Sequence, residues 1–227
     1  MAAAASDAAA PIKILYWPFL GRGGPLVRMC EHTGTPYEYI SDKAEMAKVC
    51  SAWCDSPAGD NFAPPVVVDG DMMVSQSISA SLYLGAKLGL TPAGYNDYKA
   101  MQFCGDIVDT FEGGVGKNNE DGAALKKFIE GDRFARLMGN VERGIVGPYY
   151  FGEEPSSVDF FLFSHLDWRT SNVFGPLKEK KDVDVMASYP KMLAIYTSLC
   201  ATPGYQNYAG GLSKPGPISD EILAAYA

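Results

Sequence analysis

Tyr16 and Arg22 stand six residues apart in the stretch Tyr16-Trp17-Pro18-Phe19-Leu20-Gly21-Arg22-Gly23-Gly24-Pro25. These residue types suit one kind of chemistry. A tyrosine hydroxyl at the end of a strand can donate a hydrogen bond to an anion. Arg22 adds a positive charge close by. Pro25 fits the first turn of a helix, where its missing N–H is not needed. A helix N-terminus favours negative charge. Hydroxyl, guanidinium and dipole near one point can together hold a thiolate or a carboxylate. The same residues also fit a core tyrosine at a strand-to-helix turn beside a surface arginine, and the stretch alone leaves both readings open.

Those residues need a strand, a turn and a helix to position them. Ile12-Lys13-Ile14-Leu15-Tyr16 alternates as a strand does. Pro25 to about Thr33 reads as a helix that stops near Gly34, and Tyr37 to Ile40 as a second strand. Asp42 to Trp53 reads as an irregular helix, with a loop over Asp55 to Asn61. Pro65 to Val68 and Asp71 to Val74 flank Asp69-Gly70, a strong hairpin signal. Ser75-Gln76-Ser77 then opens a helix carrying Ile78, Leu82 and Ala86 on one side. The order β-α-β-α-β-β-α over residues 11–88 is that of an α/β unit.

Residues 89–96, with two glycines and a proline, read as a linker. Beyond them, Met101, Cys104, Val108 and Phe111 recur at helical spacing, and no convincing strand follows. Residues 97–227 therefore read as all-helical. Gly113-Gly114-Val115-Gly116 reads as a break in the first of these helices. Ser156 with Asp159 three later resembles a capping box. A further helix is expected from about Tyr189 to Cys200, with Pro190 tolerated in its first turn. Residues 1–10, rich in alanine, read as a disordered tail.

Composition narrows the possibilities. A chain of 227 residues, 47% hydrophobic and 20% charged, has enough apolar material for a sizeable core. A net charge of -8 with no basic run argues against nucleic-acid binding through phosphates. An anionic ligand then needs a local positive site. Five scattered cysteines suit free thiols in a reducing compartment. Cys50 and Cys54, four apart, read as one helix face rather than a redox pair. Two distant histidines, His32 and His165, make no metal-ligand cluster, so no metal is expected. No run approaches the ~20 apolar residues of a membrane span, and the first residues lack a basic signal-peptide region. A soluble, cytoplasmic protein is expected.

In order and spacing these features resemble the cytosolic glutathione transferase family, over nearly the whole chain after Ala10. Tyr16 followed by Arg22 is similar to the Tyr-type classes (alpha, mu, pi and sigma). Pro65, Asp69-Gly70 and Gln76-Ser77 resemble the family's proline, hairpin and "Gln-Ser" signature. Ser156 with Asp159, and Tyr189-Pro190-Lys191 through Pro203-Gly204-Tyr205, resemble its C-terminal helical pattern. The resemblance implies a thioredoxin-like N-terminal domain, an all-α C-terminal domain, glutathione as co-substrate, a small-molecule electrophile and a homodimer. It implies glutathione contacts from Tyr16, Arg22, Pro64, Pro65, Gln76 and Ser77, with Asp106 reaching across the dimer to the γ-Glu ammonium. Trp17, Phe19 and Leu20 are candidates for one wall of the electrophile pocket, or else plain core residues.

The chemistry implied is thiolate activation. A free thiol has a pKa of about 8.5 and is mostly the poor nucleophile at neutral pH. A Tyr16 hydroxyl donating to the sulfur favours the thiolate, which then attacks the electrophile. Two departures from the family pattern stand out. The residue before the cis-proline usually gives both N–H and C=O to the cysteinyl unit. If Pro65 is that cis-proline, Pro64 has only the C=O; the other possibility is a cis Ala63–Pro64 bond. For the glycine carboxylate, Lys48 and Trp53 are the nearest candidates, with Lys43 another. Besides conjugation, the sequence admits a glutathione-dependent isomerase or peroxidase, or a non-catalytic carrier or assembly protein. A cysteine-based thiol–disulfide enzyme is disfavoured, because no cysteine lies in the Tyr16–Arg22 turn.

Overall fold

In the computed structural model, residues 11–51 and 61–226 are described. Four short strands, β1 (Ile12–Leu15), β2 (Tyr37–Ile40), β3 (Val66–Asp69) and β4 (Met72–Ser75), form one sheet in the order β2-β1-β3-β4. β1 and β2 run parallel, so a crossover helix must join them, and α1 (Gly24–Thr33) does so. Pro25 sits in its first turn, and Gly34 ends it with φ 67°. β3 is antiparallel to both β1 and β4. The β3–β4 turn places Gly70 at φ 59°, which a glycine takes without strain. α3 (Ser77–Lys87) follows β4. A short α2 (Lys43–Ala47) lies between β2 and β3, with the Asp42 side chain accepting from the Glu45 N–H at 2.9 Å.

Strand alternation sorts the side chains between two cores. Ile14 and Val67 pair and face the main core, with Leu26, Met29 and Leu84. Leu15 and Val66 pair on the opposite face, in a small cluster with Met46 and Cys50. The main core continues without interruption into the helical part, through Ile107, Phe111, Phe161, Leu166 and Ile195.

The helical part begins with α4 (Asp97–Thr110), capped by the Asn96 side chain. A π-helical turn (Phe111–Val115) carries it on into α5 (Gly116–Asn118). Then come α6 (Gly122–Ile129), α7 (Asp132–Gly144) and α8 (Ser157–Arg169). A second π-helical turn (Thr170–Phe174) leads from α8 to α9 (Gly175–Lys181). A 3₁₀ turn (Val185–Ser188), α10 (Pro190–Cys200), α11 (Pro203–Gln206) and α12 (Asp220–Ala225) complete the chain. α8 is the central helix and packs against α1, α3, α4 and α10. Its start is fixed by a capping box: Ser156 donates to Asp159 through its N–H at 2.8 Å and its hydroxyl at 2.6 Å. No helix among the described residues is long and apolar enough to cross a membrane.

A mixed four-stranded sheet of this order, with helices beside it and an all-helical second part, is the thioredoxin-like plus all-α fold class expected from the sequence. Two local expectations are corrected. The helix expected over Asp42 to Trp53 ends at Ala47, because the chain beyond it pairs elsewhere: Cys50 bridges Asn61, and the Ser51 N–H bonds the Asn61 carbonyl at 2.9 Å. Cys50 therefore lies past the helix. Trp53, Cys54 and the expected tail 1–10 fall outside the described residues. The run Gly113–Gly116 is no break. It forms most of the first π-helical turn, and its glycines make room for side chains from elsewhere. A Cβ on Gly114 would sit 2.5 Å from Phe128, and one on Gly116 2.5 Å from the Arg169 guanidinium.

Candidate active site

The strand register brings three of the expected residues, Tyr16, Pro65 and Gln76, to one end of the sheet. Leu15 pairs with Val66, and Val66 with Ser75. Tyr16, Pro65 and Gln76 each lie one residue beyond that row, so three adjacent strands present them together. The Pro64–Pro65 peptide bond is cis, which settles the alternative left open by the sequence in favour of Pro65. Pro64, buried beside it, offers a carbonyl but no N–H. Gln76 holds φ 67° and ψ 127°, a conformation outside the ordinary regions for a residue with a side chain. Such backbone outliers cluster at ligand clamps. Ser77 follows as the first residue of α3.

Tyr16 is fixed from both sides. Its N–H bonds the Ile40 carbonyl at 3.1 Å, and its hydroxyl accepts the Arg22 N–H at 3.0 Å. The turn after it must fold back tightly for the second bond. Gly21 and Gly23 permit this: a Cβ on Gly21 would lie 2.7 Å from the Tyr16 hydroxyl, and one on Gly23 2.7 Å from its ring. Burial pushes the Tyr16 pKa above its ordinary value of 10, outweighing the opposing pull of the Arg22 N–H and charge. At neutral pH the side chain is a phenol. Its oxygen accepts from Arg22, so its own proton is available to donate.

Tyr16 lines a cavity of about 340 Å³ between the turn and the helical part. The turn contributes Phe19 and Arg22, the first π-helical turn contributes Glu112, and α8 contributes His165, Trp168 and Arg169. Phe19 and Trp168 pack with ring centroids 5.6 Å apart. The Arg22 side chain is paired with Glu112 of the same chain. His165 Nε2 lies 3.8 Å from Glu112. Burial, then the charges of Arg169 and Arg22, push its pKa down to about 3. His165 is thus a neutral imidazole at physiological pH, and its approach to Glu112 is not an ion pair. Arg169 is buried, and burial lowers its pKa to about 10, which leaves it charged. Among the described residues no group of acidic, histidine and cysteine side chains is placed to hold a metal.

The other expected residues are placed as follows. Phe19 lines the cavity; Trp17 and Leu20 do not. Trp17 packs against the small Leu15–Met46 cluster, and Leu20 lies in the main core with its N–H on the Ser213 carbonyl at 2.8 Å. Lys48 is exposed and paired with Glu45 at 2.6 Å, and Lys43 is exposed as well. Trp53 is outside the described residues. Asp106 is half-buried on α4, away from the cavity lining.

Solved structures that match the chain include a prostaglandin synthase D of Nilaparvata lugens, 21% identical, covering 91% of this chain and 100% of that one with TM-score 0.63. A Pi-class glutathione S-transferase of Onchocerca volvulus is 15% identical over 88% of this chain and 92% of that one, with TM-score 0.67. The chain has the glutathione transferase fold. A glutathione transferase from Burkholderia graminis, 19% identical over 90% of this chain and 89% of that one with TM-score 0.64, has two glutathione molecules bound per subunit. No family model matches the chain, and no curated protein does.

On this glutathione transferase fold, sequence reasoning missed Glu112, His165, Trp168 and Arg169. One signal was available for the last three. They follow directly on the apolar run Phe160 to Phe163, so a single buried helix carries them. A charged residue on a helix buried nearly all round needs a reason to be there.

Proposed function

We propose that the protein is a Tyr-type glutathione transferase, in which Tyr16 stabilises the glutathione thiolate for attack on a small apolar electrophile. One observation carries this reading: a buried, protonated Tyr16 hydroxyl accepts the Arg22 N–H, which leaves its own proton to donate, and Tyr16 lines the cavity between the turn and the helical part. Hydrogen bonding to the charged form of the sulfur lowers its pKa. Lowering it by about two units from 8.5 is worth about 2.7 kcal/mol and raises the thiolate at pH 7 from ~3% to roughly three quarters. The α1 N-terminus acts in the same sense.

In this reading residues 11–88 form the glutathione-binding domain and residues 97–227 the helical domain, joined by 89–96. Pro64 and Pro65 take the cysteinyl backbone, and Gln76 and Ser77 the γ-Glu carboxylate. Arg22, locked to Glu112, positions the turn that holds Tyr16. The electrophile lies against Phe19 and Trp168. The protein acts as a homodimer in which Asp106 serves the partner's glutathione. Exposed apolar side chains on the edge strand β4 (Met72 and Met73), in the loop before β3 (Phe62) and on α4 (Tyr98 and Met101) support dimerisation.

The missing N–H at Pro64 favours a second reading, a carrier that binds glutathione-like ligands without turnover. Conjugation of 1-chloro-2,4-dinitrobenzene decides between them. The transferase reading expects turnover that falls more than tenfold in Tyr16→Phe. Glutathione binding with no turnover contradicts it and supports the carrier.

A further inference from the structure

Thiolate activation leaves one charge in the cavity without a task. Arg169, the last residue of α8, is 8% exposed. Among the described residues its guanidinium makes no hydrogen bond and no ion pair, and its Nε is enclosed without a partner. Glu112 shares the cavity and is felt by Arg169 as charge, but it is bonded to Arg22. His165 is neutral. The lining therefore carries one net positive charge, in a chain whose overall charge is -8. Space for the guanidinium comes from Gly116, where a Cβ would lie 2.5 Å from one of its terminal nitrogens. A buried charge without a counter-ion is costly. A planar carboxylate relieves it best, since a guanidinium takes it through two parallel hydrogen bonds. The adjoining Phe19–Trp168 pair offers an apolar wall at the same place.

We propose that Arg169 determines specificity: the cavity takes an aromatic-sized electrophile bearing a carboxylate, which Arg169 holds while the reactive carbon faces Tyr16. The proposal rests on the transferase reading and names its substrate class. The γ-Glu carboxylate of glutathione belongs to the Gln76–Ser77 end of the sheet, so it does not compete for α8.

The test compares 4-fluoro-3-nitrobenzoate with 4-fluoro-3-nitrobenzamide at saturating glutathione. In each, the sulfur lone pair of the thiolate forms the C–S bond, and fluoride leaves with the C–F electron pair. Each kcat/KM is divided by the uncatalysed rate constant of the same compound. The wild type is expected to favour the benzoate at least tenfold. In Arg169→Gln the ratio is expected to fall to within about twofold of one, with Arg169→Lys in between. A wild-type ratio at or below one overturns the proposal without recourse to any variant, and so does a ratio left intact in folded Arg169→Gln. Calorimetry with the unreactive 3-nitrobenzoate and 3-nitrobenzamide separates the two readings. Absence of turnover in the wild type sinks the transferase reading, whereas equal wild-type affinities for these two ligands sink the role of Arg169.

Discussion

Tyr16 accepts one hydrogen bond, from the Arg22 N–H, and keeps one to give. The geometry depends on two residues that do no chemistry, Gly21 and Gly23. Gly23 lies so close to the Tyr16 ring that a Cβ would meet it at 2.7 Å, and Gly23 is itself buried. The ring belongs to a residue fixed at both ends, so it cannot yield without losing its bond to Arg22. Gly23→Ala is therefore expected to lower kcat/KM for 1-chloro-2,4-dinitrobenzene at least tenfold and to destabilise the fold by about 1–3 kcal/mol, the usual cost of overpacking. Steady-state kinetics with thermal or urea denaturation checks both. Tyr16, Arg22 and the glycines were legible in the sequence because they are neighbours in the chain. Glu112 and the cavity position of Arg169 were not. Glu112 reads as an ordinary solvated charge, and the apolar run before Arg169 marks only a buried helix; tertiary packing brings both to the cavity that Tyr16 lines.

At the scale of elements, α8 carries the most weight. It buries nearly every side chain it has, and its start depends on Asp159. Asp159 accepts from the Ser156 N–H, the Ser156 hydroxyl and, at 2.9 Å, the Tyr150 N–H. Asp159→Ala leaves those donors buried and unpaired, and is expected to cost roughly 2–4 kcal/mol, read from urea unfolding. The pH dependence adds a sign. Burial raises the Asp159 pKa to about 6, above the unfolded value. The folded state therefore binds the proton more tightly, and that contribution is full below about pH 4 and lost as the pH rises through 6. The stability gap between wild type and variant should narrow over that window. The capping box, the hairpin and the strand–helix alternation were all visible in the sequence, because each is a local pattern. The glycine run after Phe111 was misleading for the opposite reason: its glycines answer to Phe128 and Arg169, which are remote in sequence.

At the scale of the whole molecule, one core runs from the sheet into the helical part. Polar ties reinforce it. Asp167 on α8 takes Arg28 of α1 at 3.2 Å and Lys214 of the C-terminal segment at 2.7 Å. The same segment bonds the Tyr16 turn, through Ser213 to the Leu20 N–H. The cavity thus has walls on both parts and a base that does not part easily. The proposed homodimer needs an open face for the second copy. Tyr98 and Met101 share a face of α4 with Gly105, where an added Cβ would meet nothing. Sedimentation equilibrium should give twice the chain mass, and Met101→Asp with Phe62→Asp should shift it toward the monomer.

The central claim is that Tyr16 lowers the proton affinity of a bound sulfur, and ultraviolet titration of the thiolate in the glutathione complex tests it most directly. The predicted result is an inflection about two units below the free-thiol value of about 8.5, moving back toward that value in Tyr16→Phe. An inflection at the free-thiol value in the wild type, or one that Tyr16→Phe leaves in place, contradicts it.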